Sequence, residues 1–412
     1  VTAQKTEKLY LNDPYTTSFR ARVVEWNEDE GDRVSVVLDR TCFYPESGGQ
    51  TADTGAIGPL NVVDVEEGVG ALVRHLVDTS GAAAALEVGG EVECRVDWPR
   101  RFDHMQQHTG QHVLSRAFIQ TAGLRTVSFH LGEDACTIDL EGAGFNADVV
   151  RRAEDLSNSI VVDNRPVVIE TVPASDLERR GDRELRRALP EGVREARLVE
   201  VKEFDVIPCC GTHVRTTGEL GMIKILKSEK AKGVRRVHFM VGQRALQDYR
   251  NKHDIVQSLG GRLTTSADDI EAKVEKLITD GQRTKKDVKR LSQSLAVHET
   301  KLLLGEAEVT SDTRFVVRYF PDHGDEFLRM VSTVLKKERR TVVVIGAASG
   351  AVICSASEGL SVDFSALAVE PAKAAGGSGG GKGAYAQLKL PDSADVSKFV
   401  EEIADNVKRS LS

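Results

Sequence analysis

Along the first hundred residues, short runs of alternating apolar and polar positions are cut by turn residues. ARVVEW, DRVSVVLD, LNVVDVEE, ALVRHLV and EVECRVDW all lie between Phe19 and about Val96. Period-two alternation at this turn spacing predicts short strands forming a small barrel or sandwich. The rhythm breaks at TCFYPESGGQTADTGAIG, where Pro45, Ser47, Gly48 and Gly49 interrupt it. Paired glycines tolerate positive φ and close backbone approach, so this loop reads either as a plain hairpin turn or as a cradle of N–H groups facing a ligand.

After Pro99 the period becomes helical: Phe102, Met105, Val113, Leu114, Ala117 and Phe118 recur at helix spacing until Gly123 ends the run. TVSFHLG and ACTIDL then read as strands, DVVRRAEDLSNSIVVDN as a helix and RPVVIETV as a strand, an α+β mixture. DLERRGDRELRRALPEGVREARLVEV is densely charged and is expected on the surface. EFDVIPCCGTHV and GMIKILKSEKAKGVRRVHFMVG read as strands flanking a compact turn. From Arg244 to about Leu304, Ile270, Val274, Leu277, Val288, Leu291, Leu295 and Leu302 fall near heptad spacing, interrupted at Gly281 and Thr284. An antiparallel helical hairpin or kinked coiled coil is expected there, its stripe serving as core or as a dimer seam. From about Thr313 strands and helices alternate as in a small α/β domain. Six of the eight residues from Gly376 to Gly383 are glycine, with Ser378 and Lys382 between them. That run reads as a flexible linker or as a backbone cradle for phosphate, without Walker spacing.

Composition narrows the class. A chain of 412 residues with 40% apolar and 29% charged positions has material for several cores. No apolar window approaches the ~18 residues of a membrane span, and the start VTAQKTEKLYLNDPY does not read as a signal peptide; the cytosol is the expected compartment. The cysteines at 42, 94, 136, 209, 210 and 354 are too sparse for a disulfide framework. Lys and Arg total 55 against 63 Asp and Glu, a net charge of −8, so any nucleic acid must be met by local basic patches. The densest runs from Lys224 to Arg236, with Lys227, Lys230, Lys232 and Arg235 inside it and Glu229 as its one acid. It reads as a phosphate-binding stretch or as a solvated hairpin tip.

The candidate chemistry sits on the helix and in the Cys-Cys turn. His104, His108 and His112 recur every four residues, and neighbours in that series stand about 6 Å apart along the axis. His104 and His112 are about 12 Å apart along it, so a single metal ion can take 108 with 112 or 104 with 108, not all three. In PCCGTH, Gly211 lets the chain turn tightly enough for Cys209 and His213 to converge. Thiolate and imidazole are ligands that Zn²⁺ prefers, and the two pairs together make a His₃Cys site.

FYPESGGQT, HTGQHVLS and CCGTHV followed by a basic stretch resemble the editing domain of alanyl-tRNA synthetase, and most of all the freestanding AlaX-type editing proteins. The resemblance covers about Phe19 to Arg244. GGSGGGKGAYAQ is similar to the DHH-associated domain that ends these synthetases and the longer AlaX proteins. The resemblance implies an α+β multidomain chain: a small β-barrel domain with the Gly-rich loop over 1–97, a zinc-dependent editing domain over 98–243, a helical hairpin or coiled coil over 244–310 and a C-terminal α/β domain over 311–412. It implies hydrolysis of the ester joining serine, or glycine, to the 3′-terminal adenosine of tRNA(Ala), with Ala-tRNA(Ala) spared. Aminoacylation is not implied, since no ATP-binding synthetase region is expected before the barrel.

Carried over by motif, one zinc ion per chain would be held by His108, His112, Cys209 and His213. Thr109 matches the hydroxyl residue between the histidines, Gly48, Gly49 and Gln50 the loop over the amino-acid pocket, and His130 a position near it. His104 matches a non-ligand histidine, and Cys210 is a spectator or spare ligand. An editing pocket must accept the larger serine and refuse alanine. A site built to bond a hydroxyl can reject the analogue lacking it by up to ~10⁴–10⁵. Thr109 is the expected partner for that hydroxyl, with Gln50 or the Gly48 and Gly49 amides sharing it or holding the ester carbonyl oxygen. Four protein ligands would close the zinc site, whereas water-activating zinc usually keeps an open position. The basic 224–236 stretch is expected to touch RNA, and the helical region or C-terminal domain to add tRNA affinity or a homodimer contact. The competing reading is a zinc-stabilised RNA-binding or adaptor protein without hydrolysis. A DHH-type phosphoesterase is excluded because Asp103-His104-Met105 only approximates its metal core.

Overall fold

The computed structural model describes residues 5–28, 33–78, 86–132, 134–175 and 194–411. The chain forms two compact units, Val1–Ser258 and Leu259–Ser412. Most of the charged segment after Asp176 lies outside the described residues.

The first unit opens with a closed six-stranded barrel. Ser18–Glu28, Arg33–Leu38, Val73–Asp78, Leu60–Glu67, Gly55–Ile57 and Glu91–Val96 are neighbours in that order around it. Alternate positions face inward, so Val36, Leu38, Val62, Val65, Val73 and Val77 fill one core. His75 is buried among them, its Nδ1 donating to the Val36 carbonyl at 3.0 Å and its Nε2 lying 2.8 Å from Thr41 Oγ1. Burial holds its pKa down to about 4.

Helix α1 (Trp98–Ala122) follows, capped by Asp97, carrying Pro99 in its first turn and stopped by Gly123 in the left-handed conformation. It is buried on nearly all sides, which is why its interior-facing residues include Arg101, Gln106, Gln107, Thr109 and Gln111. Each needs a partner. Gln107 pairs with both backbone groups of Val241, at 2.9 and 3.0 Å, and so joins the helix to a strand. Arg101, fully buried, forms an ion pair with Asp53 and donates to the carbonyls of Pro14 and Cys42. This pair locks the barrel loop 44–53 onto the helix.

Around α1 stand an antiparallel sheet, in the order Ile223–Ala231, Val234–Val241, Cys136–Glu141, Arg125–Leu131, and a smaller one of Val167–Pro173, Glu195–Val201 and Asp205–Pro208. Helix α2 (Ala147–Val162), capped by Asn146, closes the core. Helix α3 (Gln243–Leu263) leaves this unit, anchored by Arg244 on Asp103 of α1.

In the second unit, α4 (Ile270–Glu306) runs unbroken through Gly281 and Thr284. The expected interruption lies earlier, at 264–269, where Thr264 takes a positive φ. One glycine in an exposed helix costs only about 1 kcal/mol, too little to end 37 residues of helix. The apolar stripe stays exposed at Val274, Leu277, Val288, Leu291, Leu295 and Leu302, while Ala296, Thr300 and Leu303 are buried against the sheet domain.

That domain is a six-stranded sheet ordered Glu308–Thr310, Thr313–Phe320, Thr341–Ala347, Ala351–Ala356, Tyr385–Lys389, Ser378–Lys382. Thr313–Phe320 and Thr341–Ala347 are parallel and joined through α5 (Asp325–Leu335); the remaining pairs are antiparallel. After α6 (Glu370–Ala374), α7 (Val396–Leu411) covers the opposite face. The glycine run is not a linker: it is the edge strand, and a Cβ at Gly379 or Gly381 would press on Gln387 or Ala386 of the neighbouring strand. No helix among the described residues is long and apolar enough to cross a membrane.

Candidate metal centre and its cavity

Helix α1 and the turn after Asp205–Pro208 converge. The helix presents His108 and His112 one turn apart, their ring centroids 5.0 Å from each other. The turn brings in Cys209 and His213, and the ligand atoms of all four residues lie within 4.8 Å of one another. Cys209 Sγ is 3.4 Å from His108 Nε2 and 3.4 Å from His213 Nε2. The helix pair is therefore 108 with 112. His104 turns elsewhere, its Nε2 3.2 Å from Thr51 Oγ1, and burial, then Arg100, holds its pKa down to about 4.

Partners outside the quartet fix the rings. His108 Nδ1 donates to Gln50 Oε1 at 2.9 Å, which turns Nε2 toward Cys209 Sγ. Gln50 is itself held by Thr212, donating to its hydroxyl at 2.9 Å and accepting from its N–H at 3.3 Å. His213 Nδ1 lies 3.0 Å from Thr109 Oγ1, which also accepts from the Val214 N–H at 3.3 Å. Burial first, then the neighbouring His108 and Arg197, drives the His213 pKa well below its ordinary value, so the ring is neutral as a ligand must be. Gly211 is required here, because a Cβ would overlap the His108 ring. Arg197 steadies the same turn, donating to the Cys209 carbonyl at 2.6 Å and to the Leu11 carbonyl at 3.2 Å. Three neutral-capable imidazoles and a thiol, two of the rings oriented from behind, are a donor set that fits zinc.

Beside the quartet is a cavity of about 280 Å³. Its wall includes His108, Gln111 and His112 of α1, Thr126, Ser128 and Phe129 of the strand Arg125–Leu131, Tyr44, Ser47 and Gly48 of the barrel loop, and Cys209 and Cys210. The loop closes as a two-residue hairpin turn: Ser47 and Gln50 exchange both backbone bonds, and Gly48 and Gly49 have φ of 57° and 83°.

The residues expected in the pocket divide. Gly48 lines the cavity; Gly49 does not, because it lies against the Phe129 ring, where a Cβ would come within 2.9 Å. Gln50 and Thr109 are almost fully buried behind His108 and His213 and do not line it. Thr109 Oγ1 faces His213, and Gln50 turns its Oε1 to His108 and its Nε2 to Thr212. His130 stands exposed on its strand, also off the cavity wall. Sequence reasoning misses Arg197, whose only signal is a basic residue inside an apolar strand, and Gln111, hidden between the two histidines.

The basic stretch forms the hairpin Ile223–Ala231 and Val234–Val241. Lys224 is paired with Glu154 at 2.7 Å, Lys227 with Glu229 at 3.4 Å, and Arg236 with Asp139 at 2.8 Å. Arg235 stacks over Phe145, 5.4 Å from the ring centroid. Lys230 and Lys232, at the exposed tip, have no carboxylate partner among the described residues. In the second unit, Lys336, Lys337, Arg339, Arg340 and Lys382 border an open cleft of about 810 Å³ together with Tyr385.

Three family models match the chain: tRNA synthetases class II (A) over residues 4–100, the threonyl and alanyl tRNA synthetase second additional domain over 196–238, and the DHHA1 domain over 312–409. The alanyl-tRNA editing protein AlaX-L of Pyrococcus horikoshii is 30% identical, the match covering 91% of this chain and 92% of that one. The alanyl-tRNA editing protein Aarsd1 of Rattus norvegicus is 33% identical over 77% of this chain and 75% of its own. The alanine–tRNA ligase of Pyrococcus abyssi is 32% identical over 98% of this chain, which spans only 44% of the ligase.

Proposed function

Because this chain belongs to the family of alanyl-tRNA editing proteins, we propose that it is an aminoacyl-tRNA hydrolase that clears serine, and also glycine, from mischarged tRNA(Ala) while sparing Ala-tRNA(Ala). The observation that carries this reading is the quartet His108, His112, Cys209 and His213 closing on one point at the edge of a polar cavity.

In this reading the four residues hold one zinc ion. When bound in so closed a set, zinc supplies a fixed electropositive wall that orients the ester, a role that suits four protein ligands better than the generation of hydroxide does. Gln50 and Thr109 are positioning residues: they hold the His108 and His213 rings with Nε2 facing inward. The cavity receives the aminoacyl group, the Ser47–Gln50 turn forming its lip. Water adds to the ester carbonyl carbon, the bond to the ribose oxygen breaks, that oxygen takes up a proton, and free amino acid and tRNA leave. The bulk of the tRNA is met through its phosphates, for which Lys230, Lys232 and Arg235 on the hairpin and the cations of the C-terminal cleft are suited. The exposed stripe of α4 is the proposed homodimer seam. The four-part division at residues 97, 243 and 310 belongs to the same proposal.

The test is deacylation of Ser-, Gly- and Ala-tRNA(Ala) by the purified protein, with zinc measured in the same preparation. Rapid release of serine with about one zinc per chain supports the proposal. Bound zinc without release of either amino acid overturns it in favour of an RNA-binding or adaptor protein.

A further inference from the structure

Building on that editing reading, we propose that the Gln111 carboxamide oxygen is the group that receives the serine hydroxyl, and hence the residue that separates serine from alanine. Gln111 precedes the ligand His112 on α1, is 2% exposed and borders the cavity. Its Nε2 is committed, donating to Ser115 Oγ at 2.7 Å, and Ser115 in turn accepts from Thr126 Oγ1 at 2.7 Å. Its Oε1 is buried and has no hydrogen-bond partner. A buried amide oxygen left unpaired is costly and rare, and calls for an explanation.

The hydroxyls on the cavity wall do not share this condition, since Ser47 is only half-buried and the others are bonded. Tyr44 donates to the Ser47 carbonyl at 3.1 Å, Thr126 to Ser115, and Ser128 to Asp139 Oδ2 at 2.8 Å. Thr109 is not on the wall, and its oxygen is occupied by Val214 N–H and His213. Among the described residues, Gln111 is thus the one residue of the wall that carries a buried side-chain acceptor without a partner. A seryl group brings a hydroxyl proton to it. An alanyl group brings a methyl, which would seal the oxygen off unpaired, and that penalty works against alanine even though it is the smaller side chain. Glycine brings neither the bond nor the methyl, so its hydrolysis is predicted not to depend on Gln111.

The experiment compares the zinc-loaded full chain with Gln111→Met, a change that keeps length and removes the acceptor. Deacylation of Ser-tRNA(Ala) is expected to fall about 10- to 100-fold. Deacylation of Gly-tRNA(Ala) should stay within about threefold and zinc content should not change, because no zinc ligand or ring partner is touched. Equal losses on both esters, or an unchanged serine rate, overturn the assignment. Gln111→Asn, which withdraws the amide by one carbon, gives the same split should the Met variant fail to fold. Binding of seryl- and glycyl-adenosine carrying an amide in place of the ester reads the interaction without hydrolysis. The wild type should prefer the seryl form and Gln111→Met should lose that preference; no preference in the wild type overturns the Gln111 assignment. A wild type that hydrolyses neither ester yet keeps the preference defeats the editing reading and leaves this one standing.

Discussion

The cavity beside His108 and the cleft beside Lys382 hold their polar groups in different ways. At the first, side chains come from a buried helix, a hairpin turn and a strand, and two of the converging imidazole rings are pinned by neighbours that are themselves bonded: Thr212 holds Gln50, Gln50 holds His108, and Thr109 lies against both His213 and the Val214 N–H. At the second, cations stand in solvent around an open space, and of the five only Arg340 is paired with a carboxylate, Asp312, among the described residues. A pinned site suits chemistry, where a displacement of an ångström matters. An open cationic site suits a phosphate backbone, where charge counts more than geometry. The first should therefore respond steeply to single substitutions and weakly to salt, the second the reverse.

The largest expected effect is at the quartet. Cys209→Ala should lose zinc and hydrolysis together, by more than the ~10–100-fold typical of a residue behind a ligand. Zinc and full activity in that variant, measured by metal analysis and deacylation, would remove Cys209 from the ligand set. Next comes the layer behind it. Gln50→Ala and Thr109→Val should each weaken zinc affinity or activity by roughly 10–100-fold. Because both residues face the ligands, serine-over-alanine selectivity should survive; a selectivity change with zinc intact would return Thr109 to the pocket. At the cleft, replacing Lys336, Lys337, Arg339 and Lys382 together by alanine should weaken tRNA binding. Its salt dependence should flatten by about 0.9 in log–log slope for each phosphate that the variant no longer neutralises. Hydrolysis of an acceptor-stem minihelix should be unchanged, and an equal fall on it would show the cleft to be part of the active site.

The smallest effect lies in the barrel. The folded His75 pKa is about 4 against an ordinary 6.5, so as pH falls through 6.5 the unfolded chain takes up the proton first. The stability it contributes is intact above 6.5 and is lost progressively down to about 4, on the order of 1–2 kcal/mol at pH 5. Urea unfolding at pH 7 and pH 5 should show this fall, and His75→Gln should reduce it.

The barrel, the central helix and the convergence of His108, His112, Cys209 and His213 are legible in the sequence because each depends on local rules: alternation, i and i+4 spacing, and a glycine in a tight turn. The orientation of Gln50 and Thr109 is not. Both sit in motifs, but whether a side chain turns to a substrate or to a ring behind it is decided by residues more than a hundred positions away, His213 for Thr109 and Thr212 for Gln50. The glycine run reads as linker or cradle because composition cannot report a pairing partner. Its place as an edge strand is set by Tyr385–Lys389 lying so close that side chains on Gly379 and Gly381 would collide with it. The position of the break in the long helical stretch escapes sequence reasoning for a related reason, since it follows from backbone conformation at Thr264 rather than from the conspicuous Gly281.

The Arg101–Asp53 pair bears on how such a chain can be taken apart. Asp53 sits in the barrel loop with its carboxylate wholly enclosed, bonded by the Tyr44 N–H at 2.6 Å and by a guanidinium that belongs to α1. Severing the chain at residue 97 would strip that carboxylate of its cation and uncover the loop surface that packs on the helix. Genetic shuffling or limited expression that carries the barrel away alone should therefore yield an unfolded fragment. A piece that carries the barrel between genes must therefore also carry the helix that bears His108 and His112.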